Sequence, residues 1–363
     1  MKTATAVFIR TADEPTPSQT YVMKMPRGIF MKNAHERVRL RTRRHEKREA
    51  FFRGNSARHF PTGVYRSGMK VLLAEYATAH APALAPEGAA MLEVLKNSFT
   101  RCGYTVELPG AGDFGAEIER LAPECDMGLV IAPDHVLSRY TMILEQHTHN
   151  LGCGAMNAAL AANKVRTAQI LRSHGIPVPA DATAGERVIK PVHGCGTEGV
   201  RLSSDATGAG EFSQEYIRGE SFSASLVASR IVGDACLYFS GSPPVSLAVN
   251  RQFIEIGDDG AFRYRGGETP VHPEREQEIL DVTTKTIAVL GCQGYCGVDV
   301  VVADKVYVID VNPRITTSLV GIAACMEEEI ARILVDASFG KPVSPIHLTG
   351  SVRFDTHGKV QPA

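Results

Sequence analysis

The sequence predicts an α/β protein: a small helix-covered parallel sheet, followed by a strand-rich α+β region. Three observations predict it. From Met69, apolar strand-like runs alternate with segments of helical period. Between 187 and 271, short strand-like runs follow one another with no long helix between them. The pattern then returns to helix, strand pair, helix up to residue 340. Alternating strand and helix implies parallel strands, whereas a run of strands implies an antiparallel sheet.

The elements follow in order. "KVLLAEY" (70–76) is a buried strand. "PEGAAMLEVLKNSFTRCG" (86–103) is a helix with proline near its start, apolar Met91, Leu92, Leu95 and Phe99, and Gly103 as a stop. "YTVEL" (104–108), "FGAEIERLA" (114–122), "DMGLVIA" (126–132) and "DHVLSRYTMILEQHTH" (134–149) continue as strand, helix, strand, helix. One helix is expected over 157–175, ending at Gly175 because "IPVP" cannot continue it. Strands are expected at 187–192, 198–203, 212–217, 222–232, 235–241, 245–257 and 262–271. A helix over 274–291, two strands within 294–311 and one long helix over 318–340 complete the series.

Composition narrows the class. The chain has 363 residues, 44% hydrophobic and 22% charged, with a net charge of −1, as in ordinary soluble globular proteins. No apolar run approaches the roughly 18 residues of a membrane span, and the N-terminus lacks a signal peptide's apolar core. The eight cysteines are scattered, with only Cys292 and Cys296 close in sequence, which reads as buried reduced thiols in a cytoplasmic protein. Residues 1–68 hold 15 Lys/Arg against 5 Asp/Glu, and the remainder 24 against 35. The basic stretch 35–59 would suit an anionic partner such as nucleic acid. The expectation here is instead an upstream extension, such as a misassigned start, because Met69 heads the first strand.

Three constellations carry chemistry. In "YCGVDVVVADKVYVIDVN" (295–312), a hairpin with a two-residue loop at Asp304-Lys305 places Asp299 opposite Asp310, with Cβ atoms about 5 Å apart. Asn312 then shares their face, and the two acids call for a cation between them. Two Asp and one Asn oxygen suit Mg²⁺ or Mn²⁺, with phosphate and water completing the shell. The inference depends on register: a three-residue loop would send the two acids to opposite faces.

The second constellation, "VIKPVHGCGTEGVRL" (188–202), follows Lys190 with Gly194, Gly196 and Gly199. Glycines let backbone N–H groups converge on an anion while the lysine adds charge. Taken alone, such a turn is more often structural. The third, "QEYIRGESFSASLVA" (214–228), sets Glu215 and Glu220 around Tyr216 and Ile217, able to border a base and a ribose, although surface acids at a hinge would look the same. Lys164 alone reads as an exposed lysine.

In this order, "IKP…G.G..GV", "GVDVVV" and "DVNPR" resemble the ATP-grasp superfamily of carboxylate–amine ligases over residues 70–340. The resemblance implies an ATP-grasp fold with an N-terminal pre-ATP-grasp α/β domain. The divisions are an extension at 1–68, the pre-ATP-grasp domain at 69–155, a central lobe with Gly-rich lid at 156–217, a C-terminal lobe at 218–345 and a tail at 346–363. Carried over by position, Lys164, Lys190 and the Gly194 and Gly196 loop would meet the nucleotide phosphates. Gln214, Glu215 and Ile217 would border adenine, and Glu220 would bind ribose. Asp299, Asp310 and Asn312 would hold two Mg²⁺ or Mn²⁺ ions, with Asp310 standing where many members have Glu. Arg314 would face the transferred phosphate or the carboxylate substrate. Gly297, ahead of Asp299, stands where D-alanine–D-alanine ligases carry an oxyanion-stabilising arginine, and Arg251 would supply that charge.

"LLAEYATA" with "PEGAAML", "NLGCGAMNAALAANK" and "VNRQ" further resemble the tyramine–L-glutamate ligases of methanofuran biosynthesis. That resemblance implies a glutamate γ-carboxylate activated by ATP and attacked by tyramine. The rivals are an ATP-grasp ligase with other small-molecule substrates, a basic-arm nucleic-acid-binding protein with a regulatory ATP site, and a nucleotide-binding protein without turnover. Small-molecule partners are expected, nucleic acid and membrane are not, and a homodimer is the base-rate expectation.

Overall fold

A computed structural model describes residues 68–194, 196–229, 244–343 and 345–363. These lie in one compact unit, Arg66–Ala363. The basic segment 1–67, Cys195, Cys236 and the strand expected at 235–241 fall outside the described residues.

The first sheet contains β1 (Lys70–Glu75), β2 (Thr105–Glu107), β3 (Met127–Ile131) and β4 (His149–Asn150), all parallel in the order β2-β1-β3-β4. Its side chains alternate between two cores, as a parallel sheet covered on both faces requires. Val71, Leu73, Leu129 and Ile131 pack on one side, and Leu72, Ala74, Val130 and Ala132 on the other. The helices of this region are α1 (Ala77–His80), α2 (Ala85–Arg101), α3 (Phe114–Leu121) and α4 (Asp134–Glu145). Pro86 opens α2, where its missing N–H costs nothing.

The helix expected over 157–175 is two helices, α5 (Ala155–Ala161) and α6 (Lys164–Ser173). Asn163 divides them, because its side chain accepts a hydrogen bond from the Arg166 amide and caps the second helix. The break makes Lys164 the first residue of α6. A three-stranded antiparallel sheet follows, with β5 (Arg187–Pro191) between β6 (Arg201–Ser203) and β7 (Glu211–Glu215).

The largest sheet has seven strands: β8 (Glu220–Ala228), β9 (Val245–Ile256), β10 (Phe262–Thr269), β11 (Gly294–Val302), β12 (Val306–Asn312), β13 (Val352–Phe354) and β14 (Val360–Pro362). Their order is β12-β11-β8-β9-β10-β13-β14. Helix α7 (Glu276–Leu290) packs against it through Ile279, Ile287 and Leu290. The long helix expected at 318–340 is also two, α8 (Ser318–Cys325) and α9 (Ile330–Ser338), separated by an extended stretch from Met326. The segment read as a C-terminal tail supplies the last two strands of the sheet.

Candidate active site

One cavity of about 620 Å³ is lined by all three sheets. The β11–β12 hairpin supplies its acidic wall, and the register there differs from the expected one. Val302 pairs with Val306, so the loop has three residues, Ala303 to Lys305. A β-bulge at Ile309 then shifts the pairing by one, so that Asp299 does stand opposite Asp310, and Gly297 opposite Asn312. The core shows the change of parity: Val306 and Val308 are buried before the bulge, and Val311 after it. Without the bulge, Asp310 would point into that apolar core.

The two carboxylates are held differently. Asp299 Oδ1 accepts from Gln252 Nε2 at 2.9 Å, and Oδ2 from Asn312 Nδ2 at 3.2 Å. Burial pushes the Asp299 pKa up to about 7, and the Asp310 charge adds to the rise. Asp310 accepts from the Val311 amide at 3.0 Å and pairs with the ammonium of Lys164. Burial alone would lower the Lys164 pKa, but Asp310, with Asp134 and Asp299 behind it, leaves it above the ordinary value. Lys164 is therefore not the exposed lysine it resembles in isolation, since its side chain is 8% exposed.

Lys190 comes from β5 and is fully enclosed. Its Nζ donates to Gln214 Oε1 at 3.1 Å and to the Ile309 carbonyl, released by the bulge, at 3.4 Å. Burial lowers its pKa to about 8; Asp310 opposes the shift and Lys164 reinforces it. Arg314 reaches out of "DVNPR" to Asp134 Oδ1 at 2.8 Å and Asn312 Oδ1 at 3.3 Å. Asp134 is buried at the start of α4, so this ion pair ties the first sheet's helices to the acidic hairpin.

The cavity gathers Lys164, Lys190, Gly196, Glu215, Ile217, Asp299, Asp310, Asn312 and Arg314, all expected from the sequence. Four other candidates stand elsewhere. Gln214 is buried behind the wall, where its amide oxygen holds Lys190 and its nitrogen donates to Pro179 O. Gly194 is absent from the lining, which the Gly-rich loop enters at Gly196. Arg251 and Glu220 also lie outside the lining and face each other at 3.5 Å, with the guanidinium over Phe222. Strand alternation explains this: Gln252, one residue on, takes the inward position and meets Asp299. Sequence reading also missed Asp134, Glu87, Tyr264 and the hairpin turn at Thr356–His357. All but Asp134 line the same cavity.

The cavity divides by chemistry. Pro179, Val188, Tyr216, Ile217 and Val301 give an apolar slot suited to a planar base, beside the two lysines. Beyond the acids lie Arg314, Thr317, Ser318, Tyr264 and Glu87. Burial raises the Glu87 pKa, opposed by Arg314, a Thr317 hydrogen bond and His357. Among the described residues no group of three His, Cys, Asp or Glu side chains is placed to hold a metal ion. The donor set is two carboxylates and one amide oxygen. That set fits a hard divalent cation that takes its remaining ligands from phosphate and water, and a buried acid poised by its neighbour's charge is relieved by one. No described helix is long and apolar enough to cross a membrane.

Residues 161–318 match the model of the ATP-grasp domain. The chain is 30% identical over 214 residues to tyramine–L-glutamate ligase of Methanocaldococcus fervens, covering 58% of this chain and 65% of that enzyme. It is 26% identical over 206 residues to D-alanine–D-alanine ligase B of Chromobacterium violaceum, covering 48% and 66%. The chain thus spans just under two thirds of the length of these relatives. Among solved structures, a protein from Archaeoglobus fulgidus assigned to the ATP-grasp superfamily superposes with a TM-score of 0.63 at 26% identity, over 78% of this chain and 92% of that one. Buried lysines on α6 and β5, facing acids on a hairpin, the match over residues 161–318 and a fold shared with the A. fulgidus protein agree: the chain carries an ATP-grasp domain.

Proposed function

We propose that this protein is an ATP-dependent carboxylate–amine ligase that forms an amide through an acyl phosphate. One observation carries the reading: Lys164, Lys190, Asp299 and Asp310 converge from separate elements on one end of a cavity that also has room for a second substrate. ATP would lay its base in the apolar slot and its phosphates toward the two lysines. Asp299, Asp310 and Asn312 would hold Mg²⁺ or Mn²⁺, which neutralises phosphate charge when bound.

The substrate carboxylate attacks the γ-phosphorus, and ADP leaves with the electrons of the broken bond. The amine then attacks the acyl carbon, phosphate departs, and the amine's proton is lost. Lys190 and Lys164 stay in place while charge spreads over the transferred group, so stabilisation comes from preset charges. Arg314, held by Asp134, faces the carboxylate or the phosphate leaving it. Gly196 and its neighbours in the 196–200 loop limit water's access to the acyl phosphate.

The substrate pair we propose is the glutamate γ-carboxylate with tyramine, supported by the similarity to the M. fervens enzyme. A second reading, an amino acid as the amine, is supported by similarity to the C. violaceum enzyme. ADP release measured over a panel of amino acids crossed with amines tests both. Turnover that needs one acid and one amine together is expected. ADP release independent of any carboxylate, or none with any pair, defeats the ligase reading.

A further inference from the structure

Strand β9 carries Asn250, Arg251 and Gln252 in succession, and alternation sends the two amides to one face of the sheet and the guanidinium to the other. The amides share their face with the acids. Asp310 pairs with Asp299, Asp299 with Ser223 and Ser223 with Asn250, so one row of polar side chains crosses four strands from β12 to β9. Thr269 extends the row to β10, donating from Oγ1 to Asn250 Oδ1 at 2.6 Å. Asn250 is fully buried, and its Nδ2 donates to Ser223 Oγ at 3.1 Å and to Ser225 Oγ at 3.2 Å. The floor beside the acids is therefore pinned strand to strand.

Gln252 lies two residues further along β9 and reaches further. Its Nε2 donates to Asp299 Oδ1 at 2.9 Å, although β8 runs between the two strands. Neighbouring strands stand about 4.8 Å apart, so the contact spans roughly 10 Å of sheet. Such a span needs a long side chain on one strand and short ones on the strand between. At the crossing, β8 offers Ser221 and Ser223 to the cavity. From the other side, Asn312 Nδ2 on β12 holds Asp299 Oδ2 at 3.2 Å. The Asp299 carboxylate is thus gripped from both directions, and the protein sets its plane. The grip from β9 is uncharged. A guanidinium there would neutralise the carboxylate, whereas an amide orients it and leaves its negative charge for a cation.

We propose that Gln252 is a positioning residue for the divalent cation: reaching over β8, it fixes Asp299 in the orientation the cation needs without joining the donor set. The inference rests on the cation site of the ligase reading, and it makes β9 a part of that site. Removing a hydrogen-bond partner that orients a ligand weakens metal binding by roughly ten- to hundredfold. Reach matters as much as the donor, because asparagine at 252 would be too short to cross β8.

The test uses the full chain with Gln252→Leu, which keeps the bulk and loses the donor, and Gln252→Asn, which keeps the donor and loses the reach. Mn²⁺ is the probe, its binding read from the loss of the free-ion EPR signal in protein alone and in ADP-loaded protein. Both variants should bind Mn²⁺ roughly ten- to hundredfold more weakly than the wild type. ADP affinity in chelator, measured by calorimetry, should stay unchanged and so show that the cavity is intact. The proposal falls if either variant binds Mn²⁺ like the wild type, or if ADP affinity in chelator drops as far as Mn²⁺ affinity. It falls too if the wild type binds no Mn²⁺ in either form, which would remove the cation site itself. Weakened Mn²⁺ binding in both variants, beside a wild type that forms ADP with no acid–amine pair, would uphold the proposal and defeat the ligase reading alone.

Discussion

Replacing Asp310 with asparagine should expose the balance of charge at the heart of the site. Lys164 is 8% exposed and Asp310 15%, so their pairing escapes most of the screening that weakens surface ion pairs. Removing one member of a buried pair leaves the other charge uncompensated, at about 3–5 kcal/mol. Part of that cost is recovered here, because the Asp310 charge, added to the larger effect of burial, raises the Asp299 pKa. Once it is gone, Asp299 ionises more readily and becomes a weaker partner for Lys164. We therefore expect the metal-free variant to lose about 3 kcal/mol, the lower end of that range. Urea denaturation in chelator of the wild type, Asp310→Asn, Lys164→Met and the double variant measures the coupling, expected at about 2 kcal/mol. A coupling under about 0.5 kcal/mol would refute the reasoning, since the contact would then be no more than two solvated neighbours. The same variant should bind nucleotide poorly and give no ligation.

Two further outcomes follow from groups around this pair. The Lys190 pKa near 8 means that nucleotide affinity, read by calorimetry across pH 7 to 9.5, should be greatest below pH 8 and fall as pH rises, a dependence that Lys190→Met removes. Folding stability should carry the opposite sign: the unfolded lysine keeps its proton to about 10.4, so this residue's contribution improves as pH rises between 8 and that value. Gly219→Ala should destabilise the protein by about 1–3 kcal/mol in denaturant titration, because a Cβ there would stand 2.3 Å from the Val302 carbonyl oxygen, a backbone atom that cannot swing aside.

Much of the site was legible because its chemistry runs along single strands. Counting back from a two-residue loop places Asp299 opposite Asp310. The chain makes a three-residue loop, and the extra residue at Ile309 cancels the difference. Apolar alternation cannot show a bulge, because "VYVIDVN" is compatible with either face up to the acid. The order of the motifs singles out Lys164, while its burial comes from a helix break that Asn163 imposes. An Asn ahead of a helical run is itself a capping signal, and here it outweighs the unbroken helical period. Arg251 was chosen for its charge, whereas the two-residue period favours its neighbour Gln252. Asp134, Glu87 and the Thr356–His357 turn were out of reach for a different reason. Each meets the site through packing between segments separated by 180 residues or more, as in the Asp134–Arg314 contact, and no local pattern encodes such a meeting. The "DTHGK" turn itself was readable, with Asp first and Gly fourth between short strand-like runs; only its destination was not.

The three-residue loop at Ala303–Lys305 and the bulge at Ile309 form a matched pair of irregularities. Surface turns ordinarily accept insertions and deletions, because nothing behind them counts residues. This one is counted. Shortening it by one residue would slide the first half of β12, and the strand would keep its acids in the cavity only by giving up the bulge. Giving up the bulge would in turn remove the carbonyl that receives Lys190. Length variants at this turn are therefore linked to Lys190, a buried lysine of a different sheet. A library of loop lengths at 303–305, sorted for nucleotide binding, would accept changes that compensate at 309 and reject those that do not.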